Sequence, residues 1–89
     1  MPIADYTAAY ELLRELLKKA REAKGISQSQ LAKKLDAPQS YVSKYETGER
    51  RLDLVETLEI CAALGTDSAN FIHEFQTRVA NQQGRKSRR

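Results

Sequence analysis

Apolar side chains recur along this chain at intervals of three and four residues, and no stretch alternates in the manner of a strand. Tyr6, Tyr10, Leu13, Leu17 and Ala20 form one stripe, and Ala9, Leu12 and Leu16 form a second beside it. With Asp5 as a cap, they predict a long first helix reaching to about Lys24, with Leu13, Leu17 and Ala20 facing the core. Gly25 suits its end. Ser27 followed by Gln30 is a capping box, so a second helix starts just after Ser27 and buries Leu31, Ala32 and Leu35. Asp36, Ala37 and Pro38 interrupt the pattern, and Pro38 suits the start of a new helix. A third helix is expected from about Gln39 to Thr47, with Val42 and Tyr45 or Glu46 inward and Gly48 as its stop.

Asp53 with Glu56 makes another capping box, placing a fourth helix from near Leu54 to Gly65. Its packing face draws on Leu54 or Val55, Leu58, Cys61 or Ala62, and Leu64 or Ile60. Asp67 caps a fifth helix from about Ser68 to Gln82, carrying Phe71, Ile72, Phe75 and Val79, with Gly84 at its end. The expectation is therefore an all-α, five-helix bundle. One domain spans residues 1–84, and a basic, disordered tail, RKSRR, occupies 85–89. The Tyr6, Tyr10, Leu12 and Leu16 side of the first helix is richer in apolar groups than a monomeric surface helix requires. It reads equally well as core or as a dimer surface.

Charge sharpens the picture once it is divided along the chain. The formal net charge is +3. Residues 18–51 carry nine basic and four acidic side chains, and the tail carries four basic ones, while the segments 1–17 and 52–84 are net acidic. The positive charge thus sits on the segment that contains the second and third helices and on the tail, as the phosphates of a duplex would require of a protein that binds them. The segment Ser27–Gly48 adds geometry. Two short helices around a tight turn, the second opening on small polar side chains, are how a helix-turn-helix reader of DNA is written.

These residues resemble a known family. The run LKKAREAKGISQSQLAKKLDAPQSYVSKYETGER is similar to the phage repressor/Cro-type, or XRE, helix-turn-helix family, and LDLVETLEICAALGTDSANFIHEF is similar to that family's fourth and fifth helices. The resemblance covers about Leu13 to Phe75, with the helix-turn-helix at about 28–47. It departs from the family at Asp36 and Pro38, where many members carry Gly and Ser. It implies the lambda-repressor-like fold and a sequence-specific regulator of transcription that binds double-stranded DNA, most simply a homodimeric repressor on a palindromic operator.

On this reading Gln39, Ser40 and Lys44 meet base edges. Gln39 is suited to adenine through a bidentate amide contact. Ser27, Gln28, Ser43, Arg50 and Arg51 are the candidates for the DNA backbone. Tyr41 either meets a sugar or thymine methyl or covers the domain edge. Lys18, Lys19 and Lys24 are weaker backbone candidates, and the tail would add non-specific affinity. The resemblance also implies a structural ion pair between Arg21 and Glu46 that sets the angle of the reading helix. Two alternatives stay open: an antitoxin that binds both its operator and a toxin, and a helix-turn-helix interaction module that does not read DNA.

Other classes find little purchase. The single histidine, His73, and the single cysteine, Cys61, do not make a metal site, and no glycine-rich loop cradles a phosphate. No enzyme activity, metal or cofactor is expected. Cys61 reads as a small buried apolar residue in a reducing cytoplasm. No apolar run is long enough for a membrane span.

Overall fold

The computed structural model describes residue 3 and residues 5–87, with the backbone alone for 83–87. It contains five helices: α1 (Tyr6–Ala23), α2 (Gln28–Lys34), α3 (Gln39–Thr47), α4 (Leu54–Leu64) and α5 (Ser68–Ser87). Among the described residues there is no strand.

Local chemistry sets the boundaries. The Asp5 carboxylate accepts from the Ala8 amide at 3.0 Å and opens α1. The Ser27 hydroxyl accepts from the Gln30 N–H at 3.0 Å, while the Gln30 side chain accepts from the Ser27 N–H at 2.8 Å. Asp53 and Glu56 make the same reciprocal box at 2.7 and 3.0 Å. The turn between α2 and α3 is closed by Asp36 at φ +55°, the one described non-glycine residue in the left-handed region. That conformation costs an L-residue about 1 kcal/mol, and Asp is among the side chains that tolerate it. Asp36→Gly is therefore expected to stabilise the domain by roughly 0.5 kcal/mol after the added flexibility of the unfolded chain is counted, as read from denaturant unfolding.

The core is a single cluster to which every helix contributes. Leu17, Leu31, Val42 and Ile60 have no exposed surface, and Tyr45 and Cys61 are buried beside them with Leu64 and Phe71. Leu13 and Ala20 pack against this cluster half-buried. Leu16 is buried and Leu12 half-buried, so that part of the second stripe belongs to the core. Tyr6 is exposed.

Two expectations need correction. The buried face of α4 is Thr57, Ile60, Cys61 and Leu64, while Leu54, Val55 and Leu58 lie on its exposed side. A helix that is apolar on most sides does not tell from sequence which side packs, and the buried set here includes a threonine. Thr57 is accommodated because its hydroxyl donates to the Asp53 carbonyl at 2.8 Å. The second correction concerns Gly84, which does not end α5; the helix continues to Ser87. A glycine weakens a helix interior without forbidding it. The side chains of that last turn lie outside the described residues, as do residues 88 and 89, so the expectation for the RKSRR tail falls largely outside them too.

Candidate nucleic-acid interface

The third helix presents its polar face because its apolar face is anchored. Val42 and Tyr45 are buried, three residues apart. Gln39, Ser40 and Lys44 consequently stand exposed, and Ser43 is half-buried. Pro38 is the N-cap residue of α3 and makes no side-chain capping bond. The first amides of α3 are thus left without a side-chain acceptor, beside the side chains suited to base edges.

Glu46 holds the other end of the helix. Its carboxylate accepts from Arg21 Nε at 2.7 Å, from a terminal Arg21 nitrogen at 3.0 Å and from the Gln28 side-chain amide at 2.9 Å. Arg21 also donates to the Ile26 carbonyl at 2.8 Å. The arrangement ties α1, the start of α2 and the end of α3 together. The Glu46 side chain is 3% exposed and that of Arg21 10%, so both charges are compensated away from water. The hydrogen bond to Glu46 raises the Arg21 pKa above its ordinary value. Gln28 therefore braces the reading helix directly. One N–H of its amide group is committed to Glu46, and the second is left for another acceptor.

The loop after α3 differs from a simple row of free cations. Arg50 pairs with Glu56 at 2.6 Å and lies 4.9 Å from the centre of the Tyr41 ring. Tyr41 in turn meets Tyr45 edge-on, with ring centres 5.8 Å apart. Tyr41 is half-buried and packs against the core cluster. Burial raises its pKa. Arg51 lies over the Tyr10 ring at 4.5 Å. Sequence reasoning missed Glu56 as a partner of Arg50, because its spacing from Asp53 already accounted for it as a cap.

Glu56 has a depressed pKa, mainly from the Arg50 hydrogen bond and then from the Asp53 amide. A carboxylate whose folded pKa is lowered stabilises the fold above its unfolded pKa, and that contribution disappears as pH falls through the lower folded value. Glu56→Gln is expected to flatten the acid limb of the stability–pH curve below the usual carboxylate range. Parallel acid limbs in the two proteins would contradict the pairing.

Among the described residues, no group of three or more His, Cys, Asp or Glu side chains is placed to hold a metal. No helix among them is long and apolar enough to cross a membrane.

An exposed polar helix start, held by a buried ionic brace on a five-helix scaffold, defines a helix-turn-helix domain. Comparison with known proteins agrees. Residues 17–71 match the helix-turn-helix family HTH_3. The chain is 42% identical to an XRE-family-like protein from Pseudomonas syringae pv. tomato str. DC3000, over 82% of this chain and 89% of that one, with a TM-score of 0.79. It shares its fold with the wild-type restriction-modification controller protein C.Esp1396I, at 24% identity and a TM-score of 0.74 over 81% of this chain and 95% of that one. None of the curated proteins compared matches it. The chain belongs to the XRE family of helix-turn-helix proteins, DNA-binding transcriptional regulators rather than an enzyme class.

Proposed function

We propose that this protein is a sequence-specific, dimeric repressor that covers a palindromic operator and excludes polymerase from it. The observation that carries the reading is the division of α3: Val42 and Tyr45 buried, Glu46 tied to Arg21 and Gln28, and Gln39, Ser40 and Lys44 left exposed on a rigid helix. Gln39 and Ser40 then meet base edges in the major groove with Lys44 one turn behind, while Ser27, Gln28, Ser43 and Arg51 hold the flanking phosphates. Arg50 reaches the backbone as part of its pair with Glu56, which lowers its electrostatic contribution.

Dimerisation is supported by Leu54, Val55 and Leu58, three apolar side chains on the outer side of α4 that a lone domain exposes. A second copy related by a two-fold axis would cover them and set two reading helices roughly 34 Å apart, one turn of duplex. The buried Cys61 thiol, its pKa raised by burial, is inert and suits a reducing cytoplasm.

Selection of bound oligonucleotides from a random pool tests the reading. An enriched inverted repeat with half-sites about one helical turn apart is the expected result. A pool that stays random would overturn sequence-specific reading.

One observation favours a second reading. An apolar groove of about 630 Å³ runs between α1 and α5, lined in part by Tyr6, Phe71, Ile72 and Phe75. An antitoxin would offer such a surface to its toxin, and co-purification with a small protein encoded beside it would favour that reading.

A further inference from the structure

A smaller pocket of about 220 Å³ lies where the first half of α1 meets the loop that follows α3. Its lining includes three arginines, Arg14, Arg50 and Arg51, together with Tyr45 and Gly48. Arg50 is neutralised by Glu56. Arg51 lies over Tyr10, and no carboxylate among the described residues forms an ion pair with it. Arg14 comes within 3.9 Å of Glu11, a long contact to a largely exposed carboxylate. Two guanidinium groups, that of Arg14 half-buried and that of Arg51 exposed, therefore line one pocket with little compensation, whereas the buried Arg21 is fully paired.

Two further features mark the place. The Tyr45 hydroxyl is buried and has no hydrogen-bond partner within the protein. A buried hydroxyl without a partner is costly, and native proteins seldom keep one without a use. Burial holds the Tyr45 pKa far above the ordinary phenol value, so the group keeps its proton and remains a donor. Gly48, at φ +92°, lets the Arg14 guanidinium lie directly against the loop. A Cβ at that position would stand 2.9 Å from the guanidinium carbon. Arg14 thus lies against the loop, and the DNA reading assigns it no role.

We infer that this pocket is a binding site for a phosphate group, held by the Arg14 and Arg51 guanidiniums with the Tyr45 hydroxyl as a third donor. Arginine suits such a ligand because its planar fork matches two phosphate oxygens at once. The volume admits a phosphate and little more than a short ester. Two sources share this chemistry: a soluble phosphate or phosphate ester, and a phosphate of the DNA backbone reached by the long first helix. Binding of a soluble ion does not depend on the proposed repressor function. The backbone source rests on it.

The test uses the full chain and inorganic phosphate, titrated at constant ionic strength against sodium chloride. Amide NMR signals of Gly48 and Arg51 are expected to shift saturably with phosphate and not with chloride. Arg14→Gln should weaken that binding about tenfold, as the loss of a charge-assisted contact would. Tyr45→Phe should weaken it several-fold while the phosphate-free protein melts at the same temperature or higher, because an unpartnered hydroxyl has been removed. A purely structural role for Tyr45 would not produce that split.

Salt titration of DNA binding then separates the sources. A shallower slope for Arg14→Gln, by about one released counterion, assigns the site to the DNA backbone. An unchanged slope with saturable phosphate binding assigns it to a soluble ligand. If phosphate and chloride act alike on the native protein and the slope is also unchanged, or if both variants bind phosphate as the native protein does, the site is refuted.

Discussion

Glu46→Ala is expected to lower the melting temperature by roughly 15–30 °C. Three donors converge on this carboxylate within 3.0 Å, two from Arg21 and one from Gln28. Removing it leaves the Arg21 guanidinium buried with only the Ile26 carbonyl. An uncompensated buried charge typically costs 3–5 kcal/mol, and in a domain of this size each kcal/mol moves the midpoint by roughly 4–8 °C. The loss would take a large share of a stability that is itself of order 5–10 kcal/mol. Surviving folded protein should bind its operator roughly tenfold more weakly, because α3 loses the contact that fixes its angle against α1 and α2; such a loss is about what one base contact is worth. Replacing both partners by apolar side chains, Arg21→Met with Glu46→Leu, should recover much of the melting temperature, since the pair's net worth over a packed apolar pair is small. Recovery of stability without recovery of affinity would assign the brace to orientation. A melting curve unchanged in Glu46→Ala would remove this account of the motif.

Operator affinity is expected to fall by about 10²- to 10³-fold between 50 and 200 mM salt. In the proposed dimer each protomer offers Lys44 and Arg51 as cations that pair with no carboxylate among the described residues, and Arg50 as a cation shared with Glu56. A dimer therefore neutralises roughly four to six phosphates, and each releases a counterion whose entropy drives binding, with a slope of about −0.9 per phosphate. Glu56→Gln frees Arg50 and should steepen the slope, strengthening binding most at low salt. Lys44→Ala should make it shallower by about one counterion per protomer. Gln39→Ala should leave the slope alone and relax base preference at one position. Fluorescence anisotropy across a salt series reads all three. A flat dependence in the native protein would argue against phosphate-dominated recognition.

The chain declared most of its helices locally. Capping boxes at Ser27 and Asp53, the Asp5 cap and glycine at helix ends are short-range chemistry, and the helices begin where those residues stand. The exposed start of α3 was legible for the same reason, since burying Val42 and Tyr45 turns Gln39, Ser40 and Lys44 outward by helical period alone. Periodicity failed on α4, where apolar residues lie on several sides and only the neighbouring helices decide that Ile60, Cys61 and Leu64 pack while Leu54, Val55 and Leu58 do not. It failed again at Gly84, where a weak breaker did not end α5.

What the sequence alone determined is the set of five helices, the polar end of the reading helix and, through resemblance, the partnership of Arg21 with Glu46. These follow from spacing within a few residues or from a family pattern carried by the motif. Only the tertiary structure decided that Gln28 shares the Glu46 carboxylate, that Arg50 is spent on Glu56, and that Arg14 lies against Gly48 at a pocket it shares with Tyr45. Apart from Arg50 and Glu56, those partners lie eighteen or more residues apart and meet because helices cross. Which side chains converge at such a crossing depends on how the whole core fills its volume, and no local pattern encodes that.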